Sequence, residues 1–337
     1  MKLIIQIPCF NEAKTLSIAL GELPKQLPGI DELELLVIDD GSQDDTVHVA
    51  REWGVHHVVG FRQNQGLARA FMLGINACLE RGADIIVNTD ADNQYNAGDI
   101  PALIQPILEH RADLVIGARP ITEIAHFSPI KKLLQLFGSY VVRRVSGTNV
   151  LDAPSGFRAI SRDAALTLNV FNDYTYTLET LIQAGQKGMR VVSTPVRVNG
   201  DLRPSRLVKS IPSYVKRSIL TIFRIFIVYQ PLKFFLMLGS VPFLAGLALG
   251  VRFLISFFQD GGDGHIQSLI LAAVLLLMGF LTYLLAIIAD LLSVNRRLLE
   301  DIQRHQRTRL VEVAGRGEVP KFSPPSMGRQ VHSVPPP

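Results

Sequence analysis

Residues 85–99 read IIVNTDADNQYNAGD, a run as apolar as any core strand that passes without a break into three aspartates. A short Ile/Val run bounded by turn residues marks a strand buried on both faces. Asp90 and Asp92 then stand at its carboxyl end. Two like charges are held together cheaply only where a hard cation or many donors compensate them. Oxygen ligands favour Mg²⁺ or Mn²⁺, with water and substrate phosphates completing the shell, and Asp92 is the leading ligand. The structural alternative is a cap for the helix AGDIPALIQPILEH, but Gly98 or Asp99 is better placed for that role.

The same pattern recurs outward from this stretch. KLIIQIP, ELLVIDDG, HHVVGF and ADLVIGAR are each followed by a polar or amphipathic segment of helix length, which predicts an α/β domain with a mostly parallel sheet and helices on both faces. Such sheets bind ligands at the carboxyl ends of their strands, where PCFNE, DDGS, DAD and GAR all fall. GSQDDT caps the helix after the second strand, so Asp44 or Asp45 is read as structural. No GxxxxGK[ST] or GxGxxG follows any strand, which argues against a P-loop ATPase or a dinucleotide-binding domain. Further on, a basic helix is predicted from Pro129 to about Tyr140. DAPSGFRAISRDA reads as turn, strand and helix start, YTLETLIQAGQKG as a helix ending at Gly188, and MRVVSTPVRV as a strand. The globular part is expected to close near Arg206.

The chain has 337 residues, 48% of them hydrophobic, and a mean hydropathy of +0.25, high for an ordinary soluble protein. The excess collects in the last third. In 208–229, Lys209, Lys216 and Arg224 are spaced about two helical turns apart, with Arg217 adjacent and Ile, Leu and Phe elsewhere. This suits a helix lying in the lipid headgroup layer, the alternative being an amphipathic helix packed on the domain. Phe234 to Val251 and Ile266 to Ala289 are each long enough to cross about 30 Å of hydrocarbon. Arg252 can snorkel, and QDGGDGH is too short for anything but a hairpin connection. Lys209, Lys216, Arg217, Arg224, Lys233, Arg296 and Arg297 share one side and the connection has no Lys or Arg, so both termini and the catalytic domain are expected in the cytoplasm at the cytoplasmic (inner) membrane. GLALG, Gly246 to Gly250, fits the GxxxG spacing for self-association. The net charge of +4 and pI near 9.1 gather beside these segments and favour membrane over nucleic acid. Cys9 and Cys78, without a CxxC, read as buried thiols in a reducing compartment. Met1 to Ile7 is too short for a signal peptide. The boundaries expected are 1–206 for the catalytic domain, 207–230 for juxtamembrane amphipathic helices, 231–258 and 266–290 for transmembrane helices around the 259–265 loop, and 291–337 for a tail, disordered from about Thr308.

Taken together, IPCFNE, VIDDGSQDDT, NQGLARA, TDADNQ, GAR and DAPSGFRAISRDA resemble the family 2 glycosyltransferases of GT-A fold. With the basic juxtamembrane stretch and two membrane helices, residues 1 to about 300 resemble dolichyl-phosphate mannose synthase and bacterial polyisoprenyl-phosphate glycosyltransferases. The resemblance implies an inverting, metal-dependent transfer of a hexose from a UDP- or GDP-sugar to a polyprenyl phosphate, undecaprenyl or dolichyl, giving a β-linked product for cell-envelope glycans. It implies Mg²⁺ or Mn²⁺ at Asp90, Asp92 and Gln94, and a homo-oligomer through the membrane hairpins. The donor nucleotide sugar is assigned to Pro8, Phe10, Glu12, Asp39, Asp40, Asp90 and Ala91, with Glu12 and Asp39 at the base. The acceptor and its phosphate are assigned to Lys131, Lys132, Ser155, Arg158, Arg203 and Arg206, and the chemistry to Asp92, Asp152, Arg119, Lys132 and Arg206. Asn93 stands where the family usually has Leu, and the Lys131–Lys132 pair is often arginine elsewhere.

The chemistry agrees with that assignment. A lipid phosphate is already an anion near pH 7, its second pKa being about 6, so a strong general base is dispensable. What remains is to neutralise the leaving nucleoside diphosphate and to hold a second phosphate beside the sugar. Asp152 has two readings: base or orienter of the acceptor, or structural partner for Arg158 or a backbone turn. The alternative enzyme acts on a glycan or glycolipid hydroxyl and would need a positioned carboxylate base; no ED pair follows the DAD before the membrane segment. A catalytically silent membrane scaffold is the reading from another class.

Overall fold

The structure is a computed structural model that describes residues 1–120, 129–170, 176–200, 220, 223–224, 227–260 and 266–315. At its centre is β1 (Lys2–Cys9), whose Leu3, Ile4, Ile5 and Ile7 are fully buried. Neighbouring residues of a strand point to opposite faces, so both faces are covered. β1 pairs in parallel with β2 (Glu32–Asp39) on one side and β4 (Ile85–Asn88) on the other, and β3 (His57–Gly60) extends the sheet beyond β2. With β5 (Leu114–Ala118), β6 (Arg158–Ser161) and β7 (Val191–Pro195), seven strands run in the order β3-β2-β1-β4-β6-β5-β7.

One strand departs from the parallel pattern. β6 lies antiparallel between β4 and β5, with Arg158 opposite both Asn88 and Ile116. The chain reaches it from α5 (Pro129–Ser146) and enters the sheet at the carboxyl edge. The turn before β6 is thereby delivered to the ends of β4 and β5.

α1 (Ala13–Glu22) and α4 (Ile100–Leu108) place Leu16, Leu20, Ile100, Leu103, Ile104 and Ile107 on the face that carries Leu3, Ile5 and Ile7. α3 (Leu67–Glu80) covers the other face, burying Phe71, Ile75 and Cys78. A side chain at Gly74 would lie 2.5 Å from Gln6 Oε1 and 2.8 Å from Ile38, so only glycine lets α3 approach this closely. α2 (Thr46–Glu52), α6 (Arg162–Thr167) and α7 (Tyr176–Gln186) complete the layers. α7 closes through Gly188 at φ +67°, as the sequence predicts.

The chain forms two compact units, Met1–Ser218 with Asp301–Pro337, and Ile219–Glu300. In the second, α8 (Pro231–Asp260) and α9 (Ile266–Gly315) are long and apolar enough to cross a membrane. Only 11% and 17% of their most apolar windows are buried, which separates them from core helices. They pack on one another where side chains are small. A Cβ on Gly246 would meet Leu276 N at 2.8 Å, and one on Gly279 would meet Phe243 Cα at 2.9 Å. Of the GLALG pair, Gly246 lies in the contact between these two helices, and Gly250 meets nothing within 4 Å.

The expected tail needs correcting. α9 continues past Asp290 to Gly315 instead of giving way to disorder from 291 or Thr308, because the sequence from Leu291 to Ala314 has no Gly or Pro and is rich in Leu, Arg, Gln and Glu, all good helix formers. Its end belongs to the first unit, where Arg307 Nη1 donates to the Leu168 carbonyl at 2.6 Å. The basic segment with Lys209, Lys216 and Arg217 lies outside the described residues.

Candidate active site

The loops after β1 and β2 are joined by local hydrogen bonds. Asn11 N donates to Ser42 Oγ at 2.9 Å, Gln43 N to Asn11 Oδ1 at 2.8 Å, and Ser42 N to Asp39 Oδ1 at 3.0 Å. Asn11 adopts φ +55°, a left-handed conformation that asparagine tolerates better than most residues. Asp44 accepts from Thr46 N at 3.1 Å and Ala13 N at 3.2 Å, the structural role expected for the Asp44–Asp45 pair. Glu12 is buried at the start of α1, its Oε2 accepting from Thr15 Oγ1 at 2.9 Å and its N–H donating to Thr46 Oγ1 at 2.9 Å. Pro8 is buried within β1 opposite Ile38, while Phe10 is exposed.

Asp39 and its neighbour part company. Asp39 borders a cavity of about 120 Å³ whose other walls are Val47, Val58, Val59, Gly60, Phe61 and Arg62. Asp40 turns inward, accepting from Gln65 N at 2.7 Å and Gly66 N at 2.9 Å. Burial raises its pKa, and those two amide bonds oppose the shift. Its carboxylate thus holds the loop before α3 rather than facing a nucleotide sugar. Gly41 makes this possible: it sits at φ +74° and a Cβ there would lie 2.5 Å from the Gln63 backbone.

At the end of β4, Asp90, Asp92 and Gln94 are half-buried on one loop, with Ala91 and Asn93 buried between them. Asp92 Oδ1 accepts from Gln94 N at 3.2 Å. Asn93 has φ +57°, where leucine would be strained, which gives a local reason for asparagine. Asp99 occupies the cap position of α4, as expected, though its side chain makes no capping bond; the short 3₁₀ turn Ala97–Asp99 before it is capped by Asn96, whose side chain accepts from Gly98 N at 2.9 Å. Asp99 pairs with Arg197 at 2.7 Å.

The turn before β6 brings Gly156 against Asp90. A Cβ at Gly156 would lie 3.1 Å from both Asp90 oxygens and from the Tyr176 hydroxyl. Asn88 Nδ2 donates to the Gly156 carbonyl at 2.8 Å and to Tyr176 Oη at 3.1 Å, and Gln6 Nε2 donates to Asn88 Oδ1 at 2.9 Å. From the other side, Gly156 N donates to Tyr95 Oη at 3.0 Å. We expect Gly156→Ala to cost roughly tenfold in kcat/KM with little change in melting temperature, since a misplacement of a few tenths of an ångström falls on the reacting groups. Steady-state kinetics beside a thermal melt checks this.

Arg119 and Asp152 form a buried two-point ion pair, with Nε to Oδ2 at 2.7 Å, Nη2 to Oδ1 at 3.1 Å, and side chains only 8% and 1% exposed. Burial alone would lower the Arg119 pKa, but Tyr95, Asp152 and Asp90 outweigh it and push it up. Its guanidinium also lies over the Tyr95 ring, 5.8 Å from the centroid. Asp152 is thus ion-paired with Arg119 rather than with Arg158. Arg158 is fully buried, donating to Ser155 O at 2.7 and 2.9 Å, Ala153 O at 3.2 Å and Thr180 Oγ1 at 2.6 Å. It holds the turn that carries Gly156 and does not face an acceptor. Ser155 is likewise fully buried. Lys132 is half-buried in the first turn of α5. The Lys131 side chain, Arg203 and Arg206 lie outside the described residues.

Sequence reasoning missed Gln6, Asn88, Tyr95, Tyr176 and the segment Arg197–Asn199. Gln6 and Asn88 did leave a signal, each being a polar residue inside an otherwise apolar strand.

A mostly parallel sheet with acidic loops gathered at its carboxyl edge, and one antiparallel strand delivering a further loop there, is a GT-A-like fold. The glycosyl transferase family 2 model matches residues 4–168. Undecaprenyl-phosphate mannosyltransferase of Micrococcus luteus is 30% identical over 207 residues, covering 58% of this chain and 83% of that protein. Polyprenol monophosphomannose synthase of Mycolicibacterium smegmatis is 26% identical over 204 residues, covering 57% and 76%. Among solved structures, glucosyl-3-phosphoglycerate synthase from Mycobacterium tuberculosis, in complex with Mn²⁺, uridine diphosphate and glucosyl-3-phosphoglycerate, superposes with a TM-score of 0.52 at 22% identity, over 67% of this chain and 78% of that one. The chain belongs to glycosyl transferase family 2 and is a glycosyltransferase, as its motifs indicate.

Proposed function

We propose that the protein transfers a hexose from a UDP- or GDP-sugar to a polyprenyl phosphate at the cytoplasmic face of a membrane, with inversion, and that Mg²⁺ or Mn²⁺ is required. Asp152 carries the choice of acceptor. The carboxylate that a hydroxyl acceptor would want as base is buried and held by two guanidinium hydrogen bonds from Arg119. A phosphate monoester, already ionised, needs no such base. The names of the Micrococcus and Mycolicibacterium relatives and the two exposed apolar helices support the same reading.

The residues fit a hard cation. Asp90 and Asp92 offer carboxylate oxygens and Gln94 an amide oxygen from one loop, and Gly156 leaves open the space that a Cβ would take beside Asp90. No cluster of three or more His, Cys, Asp or Glu side chains occurs among the described residues, so phosphate oxygens and water would complete the shell, the usual arrangement for Mg²⁺. Bound there, the cation would offset the charge of the departing nucleoside diphosphate. The chain supplies the rest. Asp39 accepts from a base N–H at the cavity beside Val58 and Phe61, and Glu12, whose own N–H is bonded to Thr46 Oγ1, is assigned to the same base. Lys132, Arg203 and Arg206 hold the lipid phosphate in line with the sugar, with the 207–230 segment on the headgroups and the hairpin of α8 and α9 in the bilayer.

The deciding measurement is nucleoside diphosphate release by the detergent-purified protein, with a panel of UDP- and GDP-sugars, with and without polyprenyl phosphate. Release from one donor that depends on the lipid phosphate and on a divalent cation is expected. Release indifferent to the lipid would move the search to hydroxyl acceptors.

A further inference from the structure

The loop that carries Asp90, Asp92 and Gln94 is held from outside by a segment with no part in the assignments above. Beyond β7 the chain runs antiparallel to it, with Val198 bridged to Tyr95. Asn199 is the centre of this contact. Its N–H donates to the Gln94 carbonyl at 2.9 Å. Its Nδ2 reaches the Asn93 carbonyl at 3.1 Å, the Tyr95 carbonyl at 3.4 Å and Glu22 Oε2 at 3.2 Å, while its Oδ1 accepts from Asn96 Nδ2 at 3.3 Å. Two residues earlier, Arg197 N and Nε donate to Asp99 at 2.6 and 2.9 Å, and the Arg197 carbonyl accepts from Asn96 N at 3.3 Å.

Such a concentration of bonds on one asparagine needs a reason. Residues 93–95 follow the turn at Ala91–Asp92, beyond the end of β4 at Asn88, and the first of them is left-handed. Without a partner their carbonyls would turn to water, and the loop would sample other conformations. With Asn199 in place, the carbonyls of Asn93, Gln94 and Tyr95 are all tied to one residue, which fixes the backbone on which the Asp92 and Gln94 side chains are mounted. Gln94 and Asn199 are bonded main chain to main chain, so a shift of one is a shift of the other.

We infer that Asn199 is a positioning residue for the carboxylate loop: it presets the geometry in which Asp92 and Gln94 receive a divalent cation together with the donor diphosphate. This rests on the metal assignment proposed above and extends it to a residue that touches neither cation nor sugar. Groups that orient metal ligands from behind are worth about 10- to 100-fold in metal affinity or activity.

The test is Mn²⁺ binding to the full-length protein in detergent, read by electron paramagnetic resonance in the presence of UDP and, separately, GDP. Wild type is compared with Asn199→Ala and with Asn199→Asp, which keeps the main-chain bond to Gln94 and the acceptor for Asn96 but removes the amide donors. Asp92→Asn marks complete loss of the site. Both Asn199 variants are expected to raise the Kd for Mn²⁺ about tenfold or more. The donor KM should rise at limiting Mn²⁺ and return toward wild type at saturation, with kcat changed less. In metal-free protein, amide hydrogen exchange over residues 93–99 should quicken, a readout that needs neither metal nor activity. Wild-type Mn²⁺ affinity in both variants would overturn the inference while leaving the metal site standing. Failure of wild type to bind Mn²⁺ with either nucleotide would overturn the metal assignment and the inference with it.

Discussion

Asp92→Asn should leave the protein folded and lower kcat/KM for the donor sugar by roughly a thousandfold, about 4 kcal/mol of transition-state stabilisation. The substitution is nearly isosteric, and an asparagine Oδ1 can still accept from Gln94 N as the carboxylate does at 3.2 Å. What changes is the charge at the carboxyl end of β4, on one of the groups that would hold the proposed cation. Neutralising Asp92 would weaken that binding and leave the charge of the departing diphosphate less offset. The fold loses little, because Asp92 is half-buried on a loop rather than part of the core. Thermal melting within a few degrees of wild type, beside a collapse of nucleoside diphosphate release, is the expected pair of results. Retention of more than a tenth of the activity would remove Asp92 from the metal site.

Much of this site was legible because its residues announce themselves against a strand. Asp39, Asp90 and Asp92 each end a run of Ile and Val, and a parallel sheet puts all such ends on one edge whatever the order of its strands. Direction was harder to read. Asp40 follows Asp39 in the same motif, yet its carboxylate points inward to Gln65 and Gly66, since successive residues at a strand end face opposite ways. Arg158 sits in the most recognisable block of the chain, SGFR, and is fully buried on backbone carbonyls. Residue type suggested a phosphate; only the three-dimensional turn shows that the guanidinium is used up beneath it. The contacts of Asn199 with 93–95 span about a hundred residues of sequence, and no local pattern encodes a pairing of that range. In the second unit, apolar length fixed the helices, whereas the end of α9 depended on helix propensity outlasting hydrophobicity beyond Asp290.

Removing Arg119 alone should cost about 3–5 kcal/mol of stability, because Arg119→Ala strands the Asp152 carboxylate in a site where its side chain is only 1% exposed. For a catalytic unit of this size that is a fall of roughly 10 °C in melting temperature. Asp152→Ala should destabilise comparably, since it leaves the guanidinium facing the Tyr95 ring at 5.8 Å with no carboxylate to bond. The double variant Arg119→Met with Asp152→Leu separates structure from chemistry. Replacing a buried ion pair by apolar groups of similar volume is often close to neutral, so the melting temperature should recover most of what either single variant loses. Activity should not recover. Arg119 lies next to the turn that seats Gly156 against Asp90, and its charge is part of the field in which a diphosphate would leave. A double-mutant cycle on melting temperature measures the coupling and donor kinetics measures the chemistry. If Asp152 were instead the catalytic base, Asp152→Asn would abolish turnover while Arg119→Ala retained part of it. With Asp152 as partner of Arg119, both variants lower turnover to a similar extent.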